Sequence, residues 1–423
     1  MSVLPPALRP HVRLPAVAAV AAALALSACQ DPAGVGLKLI DEEQADPSVR
    51  VVPLADLDTT AASAPAIGIA AANNALAQSR VLVGDVRDPA FGDASAVAYV
   101  DALQPAAARD LDAGEVRRVW LEMPRTYAYG DTTTVLPVEL RAIEGEWEAS
   151  TGYPADTAFA VGPALATASL AAADTVARLD LPEAWVRANA ATLVGDGFAD
   201  AFEGFAVQTA AGFAAAPGVV YGLDTFAQRG AGIRLVTAEA DTLVFPLSEV
   251  FSSISTGPPA APPAEILTVR RGAGAGVRFT ADLGDIGAVP LARGVLRLPL
   301  DPSYAEDGPF VRPLAPLATL VGVREAAGEP DRRVRLGELG VTGGGDFAVL
   351  DTRALTAELQ RVLADPTDGG FDRYEVVPPP APLPNPASLD ILPVLRTVPG
   401  ADRPARFVLT LVGTPLPAGP PAE

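Results

Sequence analysis

The 423-residue chain reads as all-β and mainly antiparallel, built as two jelly-roll-like β-sandwiches that each carry one short helix. Three observations predict this. Its 42 prolines and 38 glycines exceed what long helices tolerate and suit short strands joined by turns. Apolar and polar residues alternate near period two in segments such as 116–123 and 136–143, the pattern of half-buried antiparallel strands. Roughly 390 residues beyond the leader are too many for one small core, so two bodies are expected.

The N-terminus explains itself first. Residues 1–13 carry Arg9, His11 and Arg13 and no acid, and 14–28 (LPAVAAVAAALALSA) carry no charge. A basic segment, an apolar core and then small residues is the layout of a secretory signal. The apolar core, about 13 residues, is too short to span a ~30 Å hydrocarbon layer. Leu26-Ser27-Ala28-Cys29 resembles the lipobox of bacterial lipoproteins. That resemblance implies a diacylglyceryl group on the Cys29 thiol, cleavage before it and acylation of its amine. Several acyl chains anchor stably, since each buried CH₂ contributes about 0.8 kcal/mol. Residues 1–28 are therefore expected to be a signal peptide, and 29–75 a lipidated tether and lead-in containing one strand near 48–60.

The first sandwich is expected over 76–250. Residues 79–103 read as strand, acidic turn, strand. Residues 115–147 read as a hairpin turning at Gly130-Asp131, with Val116, Val119, Leu121 and Met123 on one arm and Leu136, Val138, Leu140 and Ile143 on the other. A short helix is expected over 179–197, capped by Asp180, with Pro182 in its first turn and Gly195 ending it. Residues 251–290 read as a Pro/Gly-rich linker and crossing strand. The second sandwich is expected over 291–416, and 417–423 as a loose tail. Within it, 293–329 echoes the layout of 115–148, and 349–379 echoes the helix and Gly/Asp turn of 179–204, with Leu355, Leu359, Val362 and Leu363 as the buried stripe. A distant internal repeat is expected.

Composition excludes several chemistries. His11 is the lone histidine and Cys29 the lone cysteine, one in the leader and one at the lipid site. A mature chain without imidazole or free thiol has no Ser-His-Asp or Cys-His catalysis, no Cys/His zinc site and no cysteine-held cluster. Removing residues 1–28 removes two arginines and no acid, so the formal charge of −20 becomes −22. That disfavours nucleic acid, whose binding rests on basic residues neutralising phosphates. No catalytic residue and no cofactor are expected, calcium aside.

The calcium candidates are acidic turns, since Ca²⁺ takes six to eight oxygens. Asp365, Asp368 and Asp372 come first, then Asp85, Asp88 and Asp93, and Asp196, Asp200 and Glu203. None has EF-hand spacing, and Asp and Gly also serve plain turns. Tyr127, Tyr129, Trp147 and Tyr153 flank turns and are candidate platforms for sugar rings, whereas Trp120 and Trp185 sit in periodic segments and belong to the core. Glu144, Glu146 and Glu148 around Trp147 offer alternate carboxylates of the kind a glycosidase needs, but such a run more often protects an exposed edge.

Several phrases taken together resemble one family. DPAGVGLKLI follows the lipidated cysteine; LVGDVRDPAFGDASAVAYVDAL, VWLEM…YAYGD…LPVELRAIEGEW and VRRGAGAGVRFTADLGDI come after it in order. This order is similar to that of the bacterial lipoprotein family called domain of unknown function 4270, over most of 31–415. The family is lysine-rich, whereas Lys38 is the lone lysine here. The resemblance implies an outer-membrane lipoprotein and brings no catalytic residue. The expected function is a non-enzymatic binding or assembly module of the envelope, held to the membrane by its N-terminal lipid and engaging an unidentified envelope protein. A polysaccharide-binding surface protein is the alternative, and a carboxylate-based glycoside hydrolase or lyase the second.

Overall fold

The computed structural model describes residues 48–61, 79–147, 153–214, 216–258, 263–272, 275–325, 330–365, 370–379, 387–396 and 404–412. The protein is mostly antiparallel strand, arranged as two curled sheets that form sandwich-like bodies with few short helices. The chain opens with β1 (Ser48–Pro53) and β2 (Ala55–Ala61). Next come β3 (Arg80–Val86), β4 (Ala94–Ala102), the long β5 (Val116–Asp131) and β6 (Leu136–Ile143). β7 (Val161–Leu170) and β8 (Val176–Asp180) lead into helix α1 (Glu183–Val194). β9 (Phe205–Thr209), β10 (Gly218–Asp224), β11 (Gly232–Thr237), β12 (Thr242–Phe245) and β13 (Leu247–Thr256) follow. Then come β14 (Ile266–Arg270), β15 (Ala275–Thr280), β16 (Leu291–Pro299), the two-residue strands β17 (Glu306–Asp307) and β18 (Phe310–Val311), and β19 (Leu317–Arg324). β20 (Arg332–Val341) and β21 (Phe347–Asp351) precede helix α2 (Arg353–Ala364), and β22 (Arg373–Val377), β23 (Ile391–Leu395) and β24 (Arg406–Leu411) complete the described chain.

The two sheets repeat one pairing scheme. The ladder β3–β4–β9–β6–β7 of the first body matches β14–β15–β22–β19–β20 of the second. β5 takes β11 and β8 as neighbours, as β16 takes β24 and β21. α1 follows β8 and packs on β5; α2 follows β21 and packs on β16. β12 lies on β11 as β1 lies on β24, and β13 lies on β4 as β2 lies on β15. The last two correspondences set the phase. β12 and β13 directly follow the body they complete, whereas β1 and β2 come from the opposite end of the chain. The sequence unit is therefore β1–β11 followed by β12–β24, and each half places its first two strands in the other half's sheet. The expected repeat is present, with its two copies starting at β1 and β12.

Sequence expectation and structure differ at identifiable places. The tether expected over 29–75 contains β1 and β2, which are strands of the second body. Within the expected linker, β13 runs on to Thr256 and β14 and β15 are already sheet. Residues 115–147 form β5 and β6, but these do not pair with each other. β5 is sixteen residues long and bends through both layers: its first half pairs with β8 and β11, and its second half with β10 and β18, past a register shift at Gly222/Leu223 of β10. Such corner strands let a sheet fold over its own core. Asp180 does not cap α1; it ends β8 and is bonded to Arg178 and Arg118, leaving Pro182 at the N-cap without a side-chain bond. α2 is capped as its sequence suggests: the Thr352 hydroxyl accepts from Leu355 N at 3.2 Å, and Leu355, Leu359 and Leu363 are buried.

Each body has its own core. Leu121, Met123, Leu140, Phe205, Tyr221 and Phe245 fill the first; Leu298, Leu320, Leu350, Phe279, Tyr374 and Phe407 fill the second, with Val52 and Leu54 of the β1 region among them. A third apolar cluster joins Leu82, Val86, Phe91 and Val220 of the first body to Ile266, Leu389 and Ile391 of the second.

Candidate functional site

That third cluster is the apolar half of a seam between the bodies, and its polar half gathers buried charged and tyrosine side chains. The β3–β4 turn carries Asp88, which is fully buried. Its Oδ1 accepts from Ala90 N at 3.0 Å and Phe91 N at 3.2 Å, the self-closing bond of an aspartate in a turn. Its Oδ2 accepts from the Tyr129 hydroxyl at 2.7 Å. Arg312, just after β18, closes the arrangement as a fork, with Nε on Oδ2 at 2.7 Å and Nη2 on Oδ1 at 3.1 Å. Burial works to raise the Asp88 pKa, but the bonds from Arg312 and Tyr129 outweigh it, so the carboxylate stays below its ordinary value. Burial pushes the Tyr129 hydroxyl well up, which keeps it a donor.

Two further contacts tie the bodies. Arg270 at the end of β14 is 2 % exposed and donates through Nη1 to the carbonyls of Phe91 and Gly92, the latter at 2.9 Å. Gly92 has φ 93°, a left-handed conformation that glycine adopts freely. The Arg270 guanidinium also lies 5.3 Å from the centroid of the Tyr129 ring. Beyond it, the Tyr127 hydroxyl accepts from Leu389 N at 3.0 Å. Burial raises the pKa of neighbouring Asp390, although Arg271 and Arg80 pull it down. The arrangement fixes two bodies in one register through directional bonds between buried groups.

The structure redistributes the residues singled out by sequence. Cys29 lies outside the described residues, as do Asp368 and Glu148. Asp365 is the C-cap of α2, and Asp372 accepts from Glu325 N at 2.7 Å. Of the second acidic turn, Asp88 faces inward to Arg312, while Asp85 and Asp93 line an open groove of about 540 Å³. Asp196 and Asp200 are exposed. Among the described residues, no three His, Cys, Asp or Glu gather as a cation site.

The aromatic expectation needs correction. Tyr127, Tyr129 and Trp147 are buried, not exposed platforms. Trp147 donates through Nε1 to the Glu203 carbonyl at 2.9 Å and packs 5.4 Å from Phe159, centroid to centroid. Tyr153 is half-buried and stands edge-on to Phe159 at 5.0 Å and Phe251 at 5.6 Å. Burial closes Tyr127, Tyr129 and Trp147 to a sugar ring, whereas Tyr153 keeps part of its surface exposed. Glu144 and Glu146 are exposed in the segment leading to this inward-turned tryptophan. What sequence reading missed is the Asp88–Arg312–Tyr129 cluster; its one trace is Arg312 standing alone among the apolar residues and prolines of FVRPLAPLATL.

No family model matches the chain, and no curated protein matches it. Among solved structures, it is similar to a chain from Parabacteroides distasonis described as a candidate secreted protein, at 8 % identity, covering 87 % of this chain and 99 % of that one, with a TM-score of 0.20. At that score the likeness adds nothing to the fold described above.

Proposed function

We propose that this protein is a lipid-anchored outer-membrane lipoprotein of the family its sequence resembles, acting as a non-enzymatic binding or assembly module of the cell envelope. The observation that carries the reading is the order basic segment, apolar run, Leu26-Ser27-Ala28-Cys29. The lipid on Cys29 holds the chain to the membrane, and residues 30–47 span at most ~60 Å when extended, enough to lift the bodies clear of the headgroups. The seam supports a presenting role: two bodies bonded through buried charges offer a partner one fixed surface rather than two swinging lobes. A net charge near −22 keeps that surface off anionic lipid and nucleic acid. The partner is an envelope protein.

Metabolic labelling with palmitate tests the anchor. The wild-type chain should take up label and fractionate with the outer membrane, and Cys29→Ser should remain unlabelled at its unprocessed mass. An unlabelled wild type beside a labelled control lipoprotein would remove the reading. Affinity purification from solubilised envelopes tests the second half: one envelope protein recovered stoichiometrically supports it, and recovery of bait alone in repeated preparations counts against it.

A further inference from the structure

A cavity of about 230 Å³ opens in the second body, between the turn that follows β15, the last turns of α2 and the chain entering β22. Leu283, Val362, Leu363 and Phe371 form its apolar wall, and no charged side chain is among the described residues that line it. Tyr374 of β22 lines it too and is 3 % exposed. Its ring is locked in the core, stacked on Phe279 at 5.5 Å and edge-on to Phe371 at 5.7 Å and Phe407 at 5.5 Å. The charges that act on its hydroxyl, Glu358 and Arg361, belong to α2 and pair with each other, so the tip of the side chain points to the α2 side, where the cavity lies. That hydroxyl has no hydrogen-bond partner among the described residues. The Tyr221 hydroxyl is also unpartnered but is sealed from contact, whereas the Tyr374 hydroxyl keeps accessible surface, and the space it borders is the cavity.

Burial pushes the Tyr374 hydroxyl well above its ordinary pKa, so it keeps its proton and is a donor. A buried tyrosine tip normally finds a partner, and one left without it in an apolar wall forgoes a hydrogen bond. We propose that this cavity binds a small neutral carbonyl compound, its oxygen accepting from the Tyr374 hydroxyl and its compact aliphatic body lying against Leu283, Val362, Leu363 and Phe371. The lining selects the class. No lining cation balances a carboxylate or phosphate and no lining acid balances an amine, so an ion would lose its hydration there without compensation. A plain hydrocarbon would leave the hydroxyl unpaired. At ~30 Å³ per water-sized group, 230 Å³ suits a ligand of about seven or eight non-hydrogen atoms. Because Val362 and Leu363 come from α2 and Leu283 and Phe371 from the chain beside β15 and β22, the ligand ties the helix to the sheet, and its binding stabilises the second body. This site goes beyond the anchoring role and stands whether or not Cys29 is acylated.

Methyl-resonance titration of the full chain in detergent tests it, with protein-free micelles correcting for ligand that partitions into detergent. The probes are cyclohexanone, methylenecyclohexane, which has the same shape without the acceptor, and cyclohexanecarboxylate. Cyclohexanone should shift the methyls of Leu283, Val362 and Leu363, saturate at one to one and raise the Tm. It should bind about fivefold tighter than methylenecyclohexane, the worth of one net hydrogen bond, and the carboxylate should not bind. Tyr374→Phe keeps the ring and its packing but removes the hydroxyl, and should make the affinities for ketone and hydrocarbon equal. Ala281 and Gly370 also line the cavity. Ala281→Leu and, independently, Gly370→Leu fill it while leaving Tyr374 in place, and each folded variant should lose binding. The proposal is overturned by no shift with cyclohexanone, by equal affinity of the wild type for methylenecyclohexane, by binding of the carboxylate, by a preference for the ketone that survives in Tyr374→Phe, or by binding that survives in a folded cavity-filled variant.

Discussion

The two bodies share a ladder scheme yet finish the outer face of the sheet in opposite ways. In the first, Tyr99 on β4, Ile143 on β6, Ala206 on β9 and Phe251 on β13 point outward and are roofed by Trp147, Tyr153 and Phe159 from the segment between β6 and β7. In the second, Arg278 of β15 and Arg373 and Glu375 of β22 put charge on that face, beside a small buried cluster of Val321, Val323 and Val377. Arg278 pairs with Asp58 of β2, and Arg373 bonds Glu375, Asp331 and Glu325, with Arg333 on Glu375. Pairing order and inner face thus define the unit, while the outer face is free to be apolar and roofed by a loop or to carry ion pairs, some as buried as Arg333–Glu375. Forming this roof is why Trp147, which flanks a turn in sequence, is buried and not open as a binding platform.

The exchanged strands are the point at which the comparison breaks most visibly. β13 reaches the first body over a short turn from β12, but β1 and β2 reach the second from the far end of the chain. A chain starting at Ser79 keeps every strand of the first body and loses two of the second. Val52 and Leu54 each contribute roughly 1.5–3 kcal/mol by burial, and both ladders with β24 and β15 go with them. Against a typical total of 5–15 kcal/mol, that is enough to unfold the second body. Hydrogen exchange should show protection kept in β3–β11 and lost in β15, β16 and β24. Full protection of β15 and β24 in the shortened chain would refute the exchange as a structural requirement.

The seam is next. Asp88→Ala leaves the Arg312 guanidinium buried without its counter-ion and strands the Tyr129 hydroxyl. Breaking a buried pair in this way costs about 3–5 kcal/mol. Denaturant unfolding should show the midpoint fall, and the double variant Asp88→Ala/Arg312→Met should recover part of the loss, because no orphan charge remains. A double variant no better than Asp88→Ala would mean that the Tyr129 and turn contacts, not the ion pair, join the bodies.

These two regions also mark what the sequence discloses. The period-two runs of β5 and β6 and the apolar stripe of α2 announce themselves, because alternation fixes which face is buried. It does not fix the neighbour: β5 and β6 are adjacent in sequence yet pair with other strands, and β1 looks like part of a tether because its destination is β24. The site is less legible still. Asp88 and Arg312 stand 224 residues apart, and Asp88 sits in a Gly/Asp turn that reads equally as a cation loop or a solvated rim. Only the fold shows that the aspartate turns inward. Tyr127 and Tyr129 misled for a related reason: the polar tip that suits them to a surface also lets them be buried once it finds a partner, here Leu389 N and Asp88.

A smaller effect separates the two bodies along β4. Asp101, near its end, has its pKa raised to about 6 by burial, with Glu249 and Glu203 adding like charge. The folded carboxyl keeps its proton to about pH 6, whereas an unfolded aspartate loses it near 3.8. The folded state therefore loses stability as pH rises through that window, and the cost is fully present above it. Asp101→Asn has no charge to desolvate and should stabilise the protein by about 1 kcal/mol at pH 7.5, after discounting for partial exposure, and by almost nothing at pH 4. Equal gains at both pH values would show that the carboxyl is not the source.

The smallest effect tests whether the ionic outer face carries stability at all. Tyr99 and Phe251 sit opposite each other on the β4–β13 ladder; Arg278 and Asp58 do so on the matching β15–β2 ladder, with Nη2 to Oδ2 at 2.9 Å. The Arg278 bond holds the Asp58 carboxyl below its ordinary value, so whatever stability it supplies is present at neutral pH and lost as pH falls through the folded pKa. Yet the two side chains are 48 % and 51 % exposed. An exposed pair of this kind is worth at most ~0.5 kcal/mol, and salt screens it further. Arg278→Ala should therefore shift the denaturant midpoint slightly at low salt and not at 1 M salt, because β2 is held by its backbone ladder and by the burial of Val52 and Leu54 next to it. A loss above about 1 kcal/mol that persists in 1 M salt would instead mean that β2 depends on this arginine for its seat, through the aliphatic stem rather than the charge. The exposed Arg278 end of this face would then be packed as its buried Arg333–Glu375 end already is, and the contrast with the roofed body would be one of chemistry alone.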